Sequence, residues 1–191
     1  MAPRGFLRLT VDEWLEALAA ADPVPGGGSA AALTGATAAA LVAMTARLSP
    51  DWPEAGGVTA QALKLRAHLA DLAERDAEVY AESLAALAEK GGAVDERRDF
   101  ALGTVLERAA EIPLQIAETA SDAAVLAASA AEHVRLELQP DAQAAAALAA
   151  AAAEAAARLV EVNLTATADD ARVRRARGAA DAASAAVQSA R

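Results

Sequence analysis

The sequence predicts an all-α fold: a single-domain bundle of long, Ala-rich helices with a Gly-rich loop before the second helix. Three observations carry this prediction. Alanine supplies 61 of the 191 residues, and it has the best helix propensity of any residue. Aromatic residues make up only 3% of the chain, so a sandwich or barrel lacks the side chains it packs with. Apolar residues recur at helical spacing between Pro and Gly breaks, with no strand signal and no clean repeat. A chain of this length is expected to form one domain, spanning residues 1–191.

The elements follow in order. Leu9-Thr10-Val11-Asp12-Glu13-Trp14 reads as a helix start. Thr10 can accept the Glu13 amide while Glu13 reaches back, and Leu9 and Trp14 are placed as a hydrophobic staple. Val11, Trp14, Leu15 and Leu18 continue the apolar face, predicting a helix over about 11–21 that Pro23 to Gly28 breaks. Ser29 to Leu48 is a second helix, uncharged until Arg47 and so expected at the centre. Val58 to Lys90 is a long third helix with a stripe at Leu65, Leu69, Leu72, Asp76, Val79, Ser83 and Leu87, ended by Gly91-Gly92. Asp95 to about Leu138 is helical, with a kink or break expected at Pro113, because proline removes a bond and clashes with the preceding turn. Pro140 starts a helix to about Thr167. A last helix covers about 169–188.

Composition restricts the partners. The net charge is −10 and the sequence pI about 4.7, which argues against nucleic acid. The local run Arg172, Arg174, Arg175, Arg177 reads as a solvated helix face. The absence of Cys removes disulfides, thiolate metal sites and thiol nucleophiles, and is compatible with the cytoplasmic location expected here. Asp12 and Glu13 come early, with no apolar run before them, so no signal peptide is expected. Residues 23–46 carry no charge, but Pro, Gly and Thr interrupt them and bulky apolar residues are few, so a buried helix is expected rather than a membrane span. Alanine contributes little buried area per residue, so association into a homo-oligomer, in its simplest form a homodimer, would add burial.

Four features break their local pattern. Gly26-Gly27-Gly28-Ser29 precede an uncharged helix, and three glycines open conformations closed to other residues. A helix N-terminus there could hold an anion or a carboxylate; equally, the segment could be a flexible turn with Ser29 as N-cap. Asp76 interrupts the leucine stripe in register, so its carboxylate is expected to face the core, where it needs a partner or a function. A salt bridge with Arg75 or a neighbouring helix, or a slightly turned helix that exposes it, is the alternative. Asn163 shares a face with Leu159 and Ala156 and fits a helix–helix hydrogen bond. Asp141 follows Pro140 and fits a first-turn acid complementing the helix dipole. His68 reads as exposed and His133 as a dipole partner near a helix end. No His pair or His/carboxylate set has metal-site spacing.

The stretch Pro25-Gly26-Gly27-Gly28-Ser29-Ala30-Ala31-Ala32-Leu33-Thr34-Gly35-Ala36, continuing through Leu41-Val42-Ala43-Met44, resembles the opening of the cyclodeaminase/cyclohydrolase family. That family includes the C-terminal domain of formiminotransferase-cyclodeaminase and stand-alone methenyltetrahydrofolate cyclohydrolases. The resemblance implies an all-helical, typically dimeric enzyme acting on one-carbon forms of tetrahydrofolate, with no cofactor beyond that substrate carrier. Arg75-Asp76-Ala77-Glu78-Val79-Tyr80 is similar to the family's Asp-x-Glu-Ala-Phe segment. Lys90, Arg98 with Pro113, and Asp141 counted back 22 residues from Asn163 are further matches. The resemblance implies Asp76 and Asp141 as catalytic carboxylates. It implies Gly26, Gly27, Gly28, Ser29, Tyr80, Lys90, Arg98 and Asn163 as substrate-binding residues. This sequence departs from the family at Pro140, Arg135 and Glu137, where a Ser and two Asn are expected, and at Leu159, where an Asn is expected. These departures would change part of a pocket wall, so a non-catalytic folate-binding or protein-interaction relative is the alternative implied.

Overall fold

The computed structural model describes residues 5–89, 96–164 and 170–190, and the side chains of these other than 86–89 and 96–108. Six α-helices are found among the described residues: α1 (Val11–Ala19), α2 (Gly27–Arg47), α3 (Ala55–Glu89), α4 (Glu96–His133), α5 (Gln139–Asn163) and α6 (Ala171–Ser189). The predicted elements are present with ends shifted by a few residues, except at three places. Helix α2 begins at Gly27, so Ser29 is not its N-cap; the cap is Gly26, which has no side chain to offer the first amides. Helix α4 runs through Pro113 unbroken. A short 3-10 turn, Leu136–Leu138, separates α4 from α5.

Helix α2 packs on α3, α4 and α5, and from α2 onward consecutive helices run antiparallel. Alanines dominate the contact surfaces: Ala32, Ala38, Ala39, Ala46, Ala145, Ala146 and Ala153 are all fully buried. Small side chains let the helix axes approach closely. Gly35 sits at one such close approach, where an added Cβ would lie 3.2 Å from Leu69 and 3.5 Å from Ala120. Leu69, Leu72, Leu114, Ile116, Val42, Val160 and Val173 are the largest side chains that are fully buried. The threonine hydroxyls of α2 fold back on their own helix: Thr34 Oγ1 donates to the Ala30 carbonyl and Thr45 Oγ1 to that of Val42. This removes the cost of burying them. Helix α2 is long and apolar enough to cross a bilayer, yet more than half of its apolar stretch is buried in the fold. It is the core helix that its lack of charge predicts.

The helix ends follow the sequence signals. Thr10 and Glu13 form the capping box of α1, with Thr10 N–H donating to Glu13 Oε2 at 2.7 Å and Glu13 N–H to Thr10 Oγ1 at 3.2 Å. The ring against Trp14 is Phe6, with centroids 5.4 Å apart. Asp170 caps α6 by accepting the Arg172 N–H at 2.7 Å. Hydrogen bonds from the Arg172 side chain and backbone hold its carboxyl down to about 2. Arg174, Arg175 and Arg177 are exposed, as expected of a solvated face, and the run also forms ion pairs to other helices. Arg175 makes a bidentate pair with Glu118 of α4 at 2.9 and 3.0 Å, and Arg177 reaches Glu161 of α5 at 2.6 Å. These pairs tie α6 to the two helices beneath it.

Candidate active site

Where α2 begins, it meets α3 near Asp76 and the segments of α4 and α5 around Pro113 and Asn163. A cavity of about 340 Å³ opens there, lined by Gly26, Gly27, Gly28, Asp76, Tyr80 and Asn163, with walls from Pro23, Val79, Ala109, Ile112, Pro113, Leu159 and Val162. Its size is at the lower end of small-molecule sites, and its wall is mostly apolar with a few convergent polar groups, as such sites are.

Asp76 follows Leu69 and Leu72 along the buried face of α3, so the stripe carries its carboxylate inward as its spacing predicts. Arg75 does not neutralise it; that guanidinium pairs with Asp71 at 3.9 Å. Ser29 is its partner. Fully buried on α2, Ser29 places its Oγ 2.8 Å from the Ala73 carbonyl and 3.2 Å from Asp76 Oδ2. A hydroxyl has one proton to give. With that proton on Ala73, the contact to Asp76 becomes a good hydrogen bond when the carboxyl carries its own proton. When Asp76 ionises, Ser29 can turn to it only by weakening its bond to Ala73. Burial raises the Asp76 pKa above the usual carboxyl value, and the hydroxyl and backbone N–H of Ser29 oppose this without cancelling it.

The glycine run has a different physical basis from the one its composition suggests. None of the described glycines has a positive φ. What Gly28 supplies is the absence of a Cβ: one built there would overlap the Asp76 carboxylate. Gly27 is under no such constraint, with only Leu159 in ordinary contact at 3.9 Å. Gly26, as N-cap, has no side chain to offer the first amides of α2; the Ser29 N–H among them is directed to Asp76, and together these amides form the positive end of the helix dipole beside the cavity.

Asn163 ends α5 and donates from Nδ2 to the Ala109 carbonyl of α4 at 2.9 Å. The helix–helix hydrogen bond is therefore present, and the same side chain lines the cavity. Tyr80 is 40% exposed at its rim. Asp141 is not brought to Asp76. It lies in the first turn of α5, and the 22 residues of helix between it and Asn163 set the two about 33 Å apart along the axis. Its position is that of an acid complementing a helix dipole. Pro140, Arg135 and Glu137 lie at that same remote end, so these departures leave the wall around Asp76 unchanged; Leu159 is the departure that lines the cavity. Lys90 lies outside the described residues, as does the side chain of Arg98. His133 ends α4, donating from Nδ1 to the Ser129 carbonyl at 2.8 Å and stacking on Trp52 with centroids 5.3 Å apart. Among the described residues no three His, Cys, Asp or Glu side chains are grouped to hold a metal ion.

Sequence reasoning missed Ile112, Val162 and Pro113 as wall residues. Only Pro113 carried a signal, a proline inside a helical pattern, and it reads first as a defect rather than as part of a site.

Comparison with known proteins points the same way. The model of the family described as formiminotransferase-cyclodeaminase matches residues 10–188. The crystal structure of a formiminotetrahydrofolate cyclodeaminase from Thermotoga maritima is similar, with a TM-score of 0.80 and 25% identity over 96% of this chain and 92% of that one. A search of curated proteins gives no match. Both Asp76 with its Gly28–Ser29 cradle and the cavity wall from Tyr80 to Asn163 lie within the matched span, and the chain belongs to the formiminotransferase-cyclodeaminase family.

Proposed function

We propose that the protein is a tetrahydrofolate one-carbon enzyme, a formiminotetrahydrofolate cyclodeaminase or a methenyltetrahydrofolate cyclohydrolase, with Asp76 as its general acid/base. The observation that carries the proposal is the Asp76 carboxylate: half-buried, raised in pKa by burial, and held between Gly28 and Ser29 in an otherwise largely apolar cavity. A carboxylate raised toward the working pH can both take and return a proton, and such a group contributes about 10²–10⁴ in rate.

In cyclodeamination, N10 of the substrate attacks the carbon of the protonated formimino group on N5. The Asp76 carboxylate takes the N10 proton and returns it to the departing amine. The carbon–nitrogen bond breaks, ammonia leaves, and the 5,10-methenyl cation remains. In the cyclohydrolase reaction, water attacks the methenyl carbon. Asp76 takes one proton from that water and delivers it to the ring nitrogen as the bond from that nitrogen to the carbon breaks; the remaining hydroxyl proton is released to solvent, leaving a formyl group on the other nitrogen. Either sequence leaves Asp76 as it began. Ser29 follows each proton change by moving its own hydroxyl proton between Ala73 and Asp76. The uncapped amides at Gly26 to Gly28 favour negative charge on the substrate, and Tyr80 and Asn163 are proposed to contact its ring system. Homodimerisation and a cytoplasmic location belong to the same reading. Leu7, Val11 and Leu15 at and beside α1 are 51%, 77% and 57% exposed, an apolar face that a second copy could cover.

The test follows the absorbance of the methenyl chromophore with each substrate. Appearance from 5-formiminotetrahydrofolate identifies the cyclodeaminase, and accelerated loss from 5,10-methenyltetrahydrofolate the cyclohydrolase. Calorimetric binding of both compounds without turnover would leave the chain a folate-binding relative, and no binding at high concentration would overturn the folate reading.

A further inference from the structure

Pro113 is the one proline inside α4, and proline has no N–H to give the carbonyl four residues earlier. That carbonyl belongs to Ala109, a residue only 7% exposed. A buried carbonyl without a donor is costly, and here the donor comes from another helix, as Asn163 Nδ2 at 2.9 Å. Asn163 is the only asparagine in the chain. With Nδ2 committed to Ala109, the amide cannot flip, and its Oδ1 meets no donor among the described residues. Ala109, Pro113 and Asn163 all line the cavity that holds Asp76.

We infer that Pro113 is a positioning residue: by leaving the Ala109 carbonyl unpaired it locks the Asn163 amide, so that the cavity presents a fixed acceptor, Oδ1, to an N–H of the ligand. The ligand class this selects is a nitrogen heterocycle with an N–H donor on its edge. The assignment of that donor to the bicyclic head of a reduced folate rests on the function proposed above. The lock itself does not. A free asparagine amide offers a donor or an acceptor by flipping; the locked one rejects a ligand with an acceptor at that point, because two acceptors would face each other.

The experiment pairs a ligand-free readout with a kinetic one. In protein labelled with [¹⁵N]asparagine a single side-chain amide pair is observed. In the wild type, one of its protons is expected to be shifted and slow to exchange. In Pro113→Ala the restored amide bonds the Ala109 carbonyl, and the pair is expected to move toward free-amide shifts with fast exchange. An unchanged pair overturns the lock. With 5-formiminotetrahydrofolate and 5,10-methenyltetrahydrofolate, both Pro113→Ala and Asn163→Leu are expected to raise KM by about 10-fold, the equivalent of one hydrogen bond. kcat should change less than KM, and the double variant should be no worse than either single one. A proline that is only a helix defect would show the opposite: Tm rises on its removal and KM stays put. A released amide with unchanged KM overturns the acceptor role. Absence of binding or turnover in the wild type overturns the folate reading instead, and the amide signal still decides the lock.

Discussion

At the end of the bundle where α2 finishes, polar groups close on one another, whereas at the end where it begins, three of them face a cavity. At the finishing end, buried Ser49 donates to the Thr45 carbonyl at 3.0 Å and accepts the Arg135 N–H at 3.1 Å. Gln143 donates to the Ala190 carbonyl at 2.8 Å, and His133 is held by Ser129 and stacked on Trp52. At the beginning end, the N-cap Gly26 offers α2 no side chain, Asp76 has only Ser29, and Asn163 Oδ1 meets no donor among the described residues. Both ends are built from the same alanine-rich helices. What separates them is whether the polar groups satisfy each other or wait for something else, and only the second condition makes a site.

The two carboxylates, Asp76 and Asp141, state the contrast in one residue type, and substitution should separate them. Asp76→Asn is expected to lower kcat/KM by about 10²–10⁴, measured with whichever folate substrate turns over; an unchanged value would remove Asp76 from the chemistry. Gly28→Ala comes next. Its new methyl displaces the carboxylate, and a displacement of about 1 Å costs about 10²-fold in rate. Gly27→Ala, one residue away, has room for its methyl and should raise stability by about 0.4–1 kcal/mol through the unfolded chain, seen as a higher Tm. If both variants lost activity equally, the close approach of Gly28 to Asp76 would not be the reason for the glycine.

At the closed end, Ser49→Ala removes the acceptor for the Arg135 N–H and should cost about 1–3 kcal/mol in denaturant unfolding, with kcat/KM unchanged. The pH dependence of stability sharpens the contrast further. Because the folded-state pKa of Asp76 is raised, the native protein keeps a proton that the unfolded chain releases. Between the ordinary carboxyl value and the raised one, the folded state binds more protons, so this group's contribution to stability falls as pH rises through that window and is flat above it. The Tm gain of Asp76→Asn over the wild type should therefore be greatest near neutral pH and vanish at about pH 3, below the unfolded value. A gain independent of pH would mean that ionisation of Asp76 costs the fold nothing. The smallest effect belongs to Asp141→Asn, which loses a helix-dipole interaction of about 0.3–1 kcal/mol and should leave turnover intact. A loss matching that of Asp76→Asn would show that Asp141 acts in the reaction.

Much of this was legible along the chain. The capping box at Thr10 and Glu13, the inward register of Asp76 and the central place of α2 each depend on residues three to seven positions apart, and helical spacing alone decides which face they share. The glycine run was legible as an anomaly but not in its cause. Backbone freedom is the local explanation for three glycines, whereas Gly28 answers to a carboxylate 48 positions away. The ion pairs of the exposed arginine run were not legible for the same reason: its acids, Glu118 and Glu161, lie on other helices.

The sequence by itself determined an all-helical chain, where its helices start and stop, and that a carboxylate would sit on a buried face. These follow from propensity, periodicity and capping, which act within a few turns. Only the tertiary structure decided that Ser29 turns inward to Asp76 instead of capping its own helix, that Asp141 stands at the far end of α5, and that the proline in α4 is answered by the asparagine closing α5. Such pairings are set by how antiparallel helices register against one another. In a bundle faced with alanine, that register depends on the close approach of backbones, a property that no single stretch of the chain contains.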